Sequence, residues 1–287
     1  MIFHILLFPG LAASIVLGFL YQGISRKLTA RMQHRVGPPL YQPFMDFIKT
    51  LGKENIKPKA SMGLFFTIAP IFVLASYLTV SVFIPFPTTP FGFSGDMLLG
   101  IYFLVLASLF YAVAGFSSSS VFGSIGSIRE IIQVFAYEFP FIVSFLTIGV
   151  FTDLSFKPFP GFLFPFAFFG FLCSVQGKLS FPPFHIPEAE QEIVAGSLTE
   201  YSGSRLALFL LSDAVKFWVL VSLGVILFFN GGGILEFFLK SILLLFILVC
   251  VRAVFARLRI DQSFKFYWFF VGPLTLIDLI RAVVGWY

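Results

Sequence analysis

Eight apolar stretches punctuate the chain, at about residues 2–24, 62–85, 97–116, 129–151, 160–177, 204–229, 234–256 and 265–286. Each is long enough, or nearly so, to cross roughly 30 Å of hydrocarbon as a helix. The strict alternation of a barrel strand is missing. Prolines and glycines inside the stretches are tolerated where neighbouring helices satisfy the freed backbone groups. Between the first two stretches the pattern changes: Phe44, Phe47, Ile48 and Leu51 recur at i, i+3, i+4 and i+7, with Asp46, Lys49, Lys53 and Glu54 on the remaining positions. That spacing predicts an amphipathic helix over 41–54 lying at the membrane interface. The expected fold is all-α, a polytopic membrane protein of about eight transmembrane helices with one interfacial helix, residues 1–287 forming a single integral-membrane domain.

Composition strengthens this reading. The chain is 58% hydrophobic and 11% charged, against about 25% charged in soluble domains. A soluble enzyme, a disordered regulator and a disulfide-stapled secreted module are all excluded. Cys173 and Cys250 lie far apart in apolar runs and make neither a zinc nor an iron–sulfur spacing, so no redox centre or metal site is expected in this chain. The net charge of +5 does not point to nucleic acid, because the basic residues sit beside apolar segments.

Their positions orient the chain. With the first residue outside, the inner loops are roughly 25–61, 117–128, 178–203 and 257–264, and with their flanks they hold 15 of the 19 basic residues. The positive-inside bias predicts a multi-pass protein of the cell membrane with both termini outside. No basic residue precedes the first apolar run, which favours a retained first helix over a cleaved signal.

Candidate chemistry concentrates in the loops. In the first, Arg31 and Arg35 flank His34, and Pro38-Pro39 force a turn beside them; this segment and the surface helix form an expected docking platform for a soluble partner, with Arg129. The third holds the densest acidic cluster, Glu188, Glu190 and Glu192 behind Pro187, then Glu200. Glu188 and Glu192 would share a helix face and Glu190 would point elsewhere. Two readings stay open: a solvated helix start, or a shielded cluster in which not all carboxylates ionise at once, so that some hold protons towards neutrality. Ionisable groups within the spans default to functional candidates. Glu130 and Glu138 are two turns apart, about 12 Å of helix rise. Asp213 with Lys216 and Asp278 with Arg281 stand at i,i+3, as neutralising pairs or, for Asp213, as a carboxylate whose proton affinity Lys216 gates. No Ser/His/Asp set, phosphate loop or HExxH motif occurs, so no active site is expected in this chain alone.

At these residues a resemblance becomes specific. Pro183-Phe184-His185-Ile186-Pro187-Glu188-Ala189-Glu190-Gln191-Glu192, followed by Thr199-Glu200-Tyr201-Ser202-Gly203, resembles the signature loop of one membrane family. That family is the respiratory complex I subunit that joins the membrane arm to the peripheral arm, with its counterparts in membrane-bound group 4 [NiFe] hydrogenases and related ferredoxin-linked complexes. Residues 31–53 resemble the family's first loop and surface helix, Ser127, Arg129 and Glu130 through Tyr137 and Glu138 the start of its fourth span, and Arg257, Arg259, Asp261 and Gln262 the basic segment before its last helix. The resemblance implies a non-catalytic subunit of an oxidoreductase complex that couples electron transfer in the soluble arm to translocation of H⁺ or Na⁺. It places the proton pathway at Glu138, Glu188, Glu190, Glu192, Glu200 and Asp213, with Glu130 and Lys216 beside it. It also implies soluble hydrogenase-like large and small subunits, an iron–sulfur subunit and antiporter-like membrane subunits as partners, with the [NiFe] and iron–sulfur centres in those partners. Asp213 stands where the family carries a glutamate, residues 2–24 lack the carboxylate often found in the first span, and Arg35-Val-Gly37-Pro38-Pro39 runs straight into the surface helix, as in the hydrogenases. The expected membership is therefore hydrogenase-like, without a quinone; a quinone-chamber role in complex I, a sulfur-reducing relative and a stand-alone ion carrier are the alternatives.

Overall fold

The structure, a computed structural model, describes residues 10–85, 95–187 and 190–286, with the side chain of Glu190 outside the description. Every predicted apolar stretch overlaps a helix, and no strand occurs among the described residues. In chain order the helices are α1 (Leu11–Met32), α2 (Gln42–Leu51), α3 (Gly63–Phe83), α4 (Asp96–Ser117), α5 (Val121–Thr152), α6 (Pro165–Lys178), the short α7 (Glu190–Ile193), α8 (Gly203–Phe228), α9 (Ile234–Val254) and α10 (Ile260–Val284), the last with a π-helical stretch at Phe266–Val271.

Among the described residues, α3, α4, α5, α8, α9 and α10 are long and apolar enough to cross a membrane. The other two expected spans differ for physical reasons. α1 runs on to Met32 and carries Arg26, Lys27 and Arg31, so the basic cluster assigned to a loop sits on a helix that continues past its apolar part. α6 has 14 residues, about 21 Å, and a single 3₁₀ turn at Gly161–Leu163 precedes it. α5 corrects the expected second inner loop. It begins at Val121 and spans 32 residues, about 48 Å, so its first turns extend beyond the hydrocarbon. The run Gly123-Ser124-Ile125-Gly126-Ser127 reads as a loop by composition, but its small residues serve close packing. A Cβ on Gly126 would lie 2.6 Å from the Ser197 amide nitrogen and 2.7 Å from the Gly196 Cα.

α8 is the central post. It is apolar nearly all round, as a helix enclosed by others must be, and α1, α2, α3 and α9 pack against it. Its residues from Ala214 to Phe228 are buried without interruption. α2 matches the predicted interfacial helix. Phe44 and Phe47 both meet the Phe19 ring of α1, at 5.8 and 5.5 Å, while Phe44, Met45, Ile48 and Leu51 keep an exposed apolar face suited to a bilayer surface. Asp46 on its polar side accepts hydrogen bonds from Arg26 at 3.0 Å and Gln42 at 2.9 Å.

One end of the bundle is stitched across the sequence. Asn55 Nδ2 donates to Ser204 Oγ at 2.6 Å, the Ile56 amide to Ser202 Oγ at 2.9 Å, and Ser202 Oγ to the Glu54 carbonyl at 3.2 Å. Gly203 makes this approach possible: its φ is +58°, and a Cβ there would lie 2.7 Å from Asn55 Oδ1 and the Glu54 carbonyl oxygen. The first polar loop and the end of the acidic loop therefore occupy the same end of the bundle.

Candidate coupling site

Two carboxylate–lysine pairs lie inside the helices. Glu138, in the middle of α5, pairs with Lys178, the last residue of α6. Both are buried, and Lys178 Nζ also lies 5.0 Å from the ring centres of Tyr137 and Phe141. Glu138 Oε2 is buried with no hydrogen-bond partner. In an apolar interior such charges persist only while paired, so pulling them apart forces a proton to move.

The second pair is the predicted one. Lys216 Nζ lies 2.9 Å from Asp213 Oδ1, one turn along α8. The Tyr111 hydroxyl of α4 donates to the same carboxylate oxygen at 2.5 Å, and Lys216 Nζ stands 5.1 Å from the Tyr111 ring centre. α4 then reaches the first pair. Ser108, three residues before Tyr111, accepts a hydrogen bond from Lys178 Nζ at 3.5 Å and from the Tyr137 hydroxyl at 3.4 Å. Adjacent turns of α4 thus touch both pairs with hydroxyl groups that can donate and accept. Glu130 is half-buried and close enough to Lys216, Lys178 and Asp213 to feel their charges. Beside the second pair lies a polar cavity of about 210 Å³, lined by Gln22, Ser25, Arg26, Asp213, Lys216 and Arg252 among others.

The acidic loop sits at the mouth of this interior. Its Glu188 lies outside the described residues, as does the side chain of Glu190. Glu192 is half-exposed and clasped by two arginines, Arg129 Nη1 at 2.5 Å and Arg257 Nη2 at 3.2 Å. The hydrogen bond from Arg129 and the charge of Arg257 hold its carboxyl below the ordinary value of 4.5. At Glu192 the loop therefore carries a firmly ionised tether rather than a group poised near neutrality. Glu200 is half-buried just before Tyr201. The Tyr201 hydroxyl donates to the Ala114 carbonyl at 3.2 Å, and its ring stacks on Phe66 at 4.2 Å. Burial pushes that phenol up to about 12, so it stays a hydrogen-bond donor.

Other predicted residues divide plainly. Arg31 and Arg35 are exposed at the end of α1 and in the turn after it, on a free surface. Asp278 is a structural residue: its Oδ2 accepts the Phe166 and Ala167 amides at 2.8 and 2.9 Å, capping the start of α6, and Arg281 Nη1 binds Oδ1 at 2.8 Å. Sequence reasoning missed the pairing of Lys178 with Glu138 and the parts played by Ser108 and Tyr111. Only the rarity of an ionisable side chain at the end of an apolar run singled out Lys178. Among the described residues no group of three or more His, Cys, Asp or Glu is placed to hold a metal ion.

The NADH dehydrogenase family matches residues 4–283, almost the whole chain. The chain belongs to this family. It is 32% identical to a membrane subunit of the NADH-quinone oxidoreductase of Geobacillus kaustophilus, over 98% of this chain and 94% of that one. The corresponding protein of Brevibacillus brevis is also 32% identical, over 96% of this chain and 90% of its own length. Among solved structures, a chain of the membrane-bound sulfane sulfur reductase, an archaeal respiratory membrane complex, superposes with a TM-score of 0.84 and 25% identity, covering 94% of this chain and 96% of that one. The family expected from the acidic loop is thus the family found, and relatives of both the quinone-linked and sulfur-reducing kinds share the fold.

Proposed function

We propose that the chain is the membrane-anchoring and coupling subunit of a ferredoxin-linked respiratory complex of the hydrogenase or sulfur-reductase type. In this reading it binds a soluble arm through Arg31, Arg35 and the acidic-loop end of the bundle. The [NiFe] or iron–sulfur chemistry resides in partner subunits, and antiporter-like membrane subunits carry the ions. Charge changes in the arm bias the tethered loop, and the bias passes inward to the two carboxylate–lysine pairs as protonation changes. The observation that carries the reading is the pair of hydroxyls on α4, which joins Asp213–Lys216 to Glu138–Lys178 through the middle of the bundle. Such a chain can shift protons without a reaction centre of its own.

A second reading, the quinone-chamber subunit of complex I, is favoured by the names of the 32%-identical relatives. Two features favour the first. The cavity beside Asp213 is small and edged by Arg26, Lys216 and Arg252, a lining that suits water and ions better than an isoprenoid tail. The turn at Gly37-Pro38-Pro39 also leads directly into α2, leaving little chain to wall a tunnel. Extracting the purified complex separates the two: no stoichiometric quinone and no response to quinone-site blockers supports the first reading, and tightly bound quinone supports the second.

A further inference from the structure

Away from the coupling residues, an apolar groove of about 340 Å³ runs between α6, α9 and the start of α10, lined by Phe169, Leu172, Cys173, Ile247, Val251 and Leu258 among others. Its wall on α9 extends from Val254 back to Ile247, about 11 Å of helix rise. The groove opens at one end of the bundle, where Val254, Phe255 and Ala256 are exposed. Leu258, pinned by its amide to the Pro183 carbonyl at 2.9 Å, also lines a second cavity of about 470 Å³ on its other side. That cavity is polar and carries Arg129, Arg257 and Arg259 against Glu192 and Asp261. Arg129 and Arg257 are engaged by Glu192, whereas Arg259 is exposed and has no carboxylate within 4.0 Å among the described residues.

We propose that this two-part cleft is a binding site for one anionic membrane lipid, its hydrocarbon chain in the groove between α6 and α9 and its phosphate at Arg259. The match is chemical at both ends. The groove is hydrocarbon-like in its lining side chains apart from Gln176 and Cys173, and it opens beside α9 and α10, whose spans are each only 33% buried within the bundle. The cationic pocket adjoins it where a headgroup would lie, with positive charge in excess by one. A bound lipid would brace the Phe255–Arg259 segment, and through Arg257 it would bear on the tether that holds Glu192.

The test uses the purified complex reconstituted into nanodiscs of equal parts dioleoyl-phosphatidylglycerol and dioleoyl-phosphatidylcholine, with retained lipid read by native mass spectrometry. The expected result is selective retention of phosphatidylglycerol on this chain. Arg259→Gln should lower that retention about fivefold, as removal of one basic residue at an anionic headgroup does. Leu172→Trp, which fills the groove, should abolish it, and millimolar inorganic phosphate should displace nothing. Equal retention of both lipids, unaffected by either substitution, would overturn the proposal. So would displacement by inorganic phosphate alone, or cross-linking from Cys173 to a polypeptide of the complex, which would assign the cleft to a free anion or to a protein partner.

Discussion

Ser108 and Tyr111, three residues apart on α4, contact different carboxylate–lysine pairs: Ser108 takes a hydrogen bond from Lys178, and Tyr111 gives one to Asp213. One helix turn therefore joins charges contributed by α5, α6 and α8. A change at either pair can be felt at the other through side chains that move by rotation alone.

Breaking the buried pair one-sidedly should be costly. Lys178→Met leaves the Glu138 carboxylate without its partner, at a cost of about 3–5 kcal/mol. The double substitution Lys178→Met with Glu138→Gln removes both charges and should recover most of that loss. Thermal denaturation of the purified chain in mild detergent checks this; equal losses in the single and double variants would show that the pair does not hold the fold.

Tyr111→Phe deletes the donor to Asp213 and leaves the ring in place. A hydrogen bond to a charged acceptor contributes roughly 1.5–3 kcal/mol, so redox-driven ion uptake in vesicles should slow by about tenfold or more while the complex stays assembled. Unchanged uptake would remove Tyr111 from the pathway.

The acidic loop should respond to pH in a defined direction. The Glu192 carboxyl is held below its ordinary value of 4.5, so its tether contributes fully above that value and is lost as the pH falls through the lower, folded-state value. Hydrogen exchange over 190–198 should therefore be flat from pH 7 to pH 5, once corrected for intrinsic exchange, and accelerate only under stronger acid. Glu192→Gln should show the fast exchange already at pH 7. Acceleration between pH 7 and 6 in the native chain would contradict the assignment.

The hydrogen bonds between Asn55 and Ser204 and between Ile56 and Ser202 place the two polar loops at one end of the bundle. Positive-inside counting puts that end in the cytoplasm. Single cysteines introduced at Lys57 and Ser204 should both react in inverted vesicles and be silent in intact cells. Labelling from the outside would reverse the topology.

The apolar runs made the helices legible, and the i, i+3, i+4, i+7 spacing made α2 legible, because burial against lipid or neighbours leaves its period in the sequence. Asp213–Lys216 was legible for the same reason, both partners sitting on one helix turn. Glu138–Lys178 was not: its partners are 40 residues apart on different helices, and helical periodicity carries no information about which faces meet. The start of α5 was hidden because glycine and serine, loop formers in water, here permit contact with the Gly196 turn. Glu192 misled because the arginine that holds it most closely lies 63 residues away; a cluster of carboxylates looks self-repelling until its counter-charges are placed.

The most direct test of the coupling role is the number of ions moved per electron in proteoliposomes carrying the whole complex, with Glu138→Gln and Asp213→Asn made separately. Each amide keeps the shape and hydrogen bonding of its carboxylate and removes the titratable proton. The coupling account predicts an assembled complex that still passes electrons but moves few or no ions in either variant. An unchanged ratio of ions to electrons in both would contradict it.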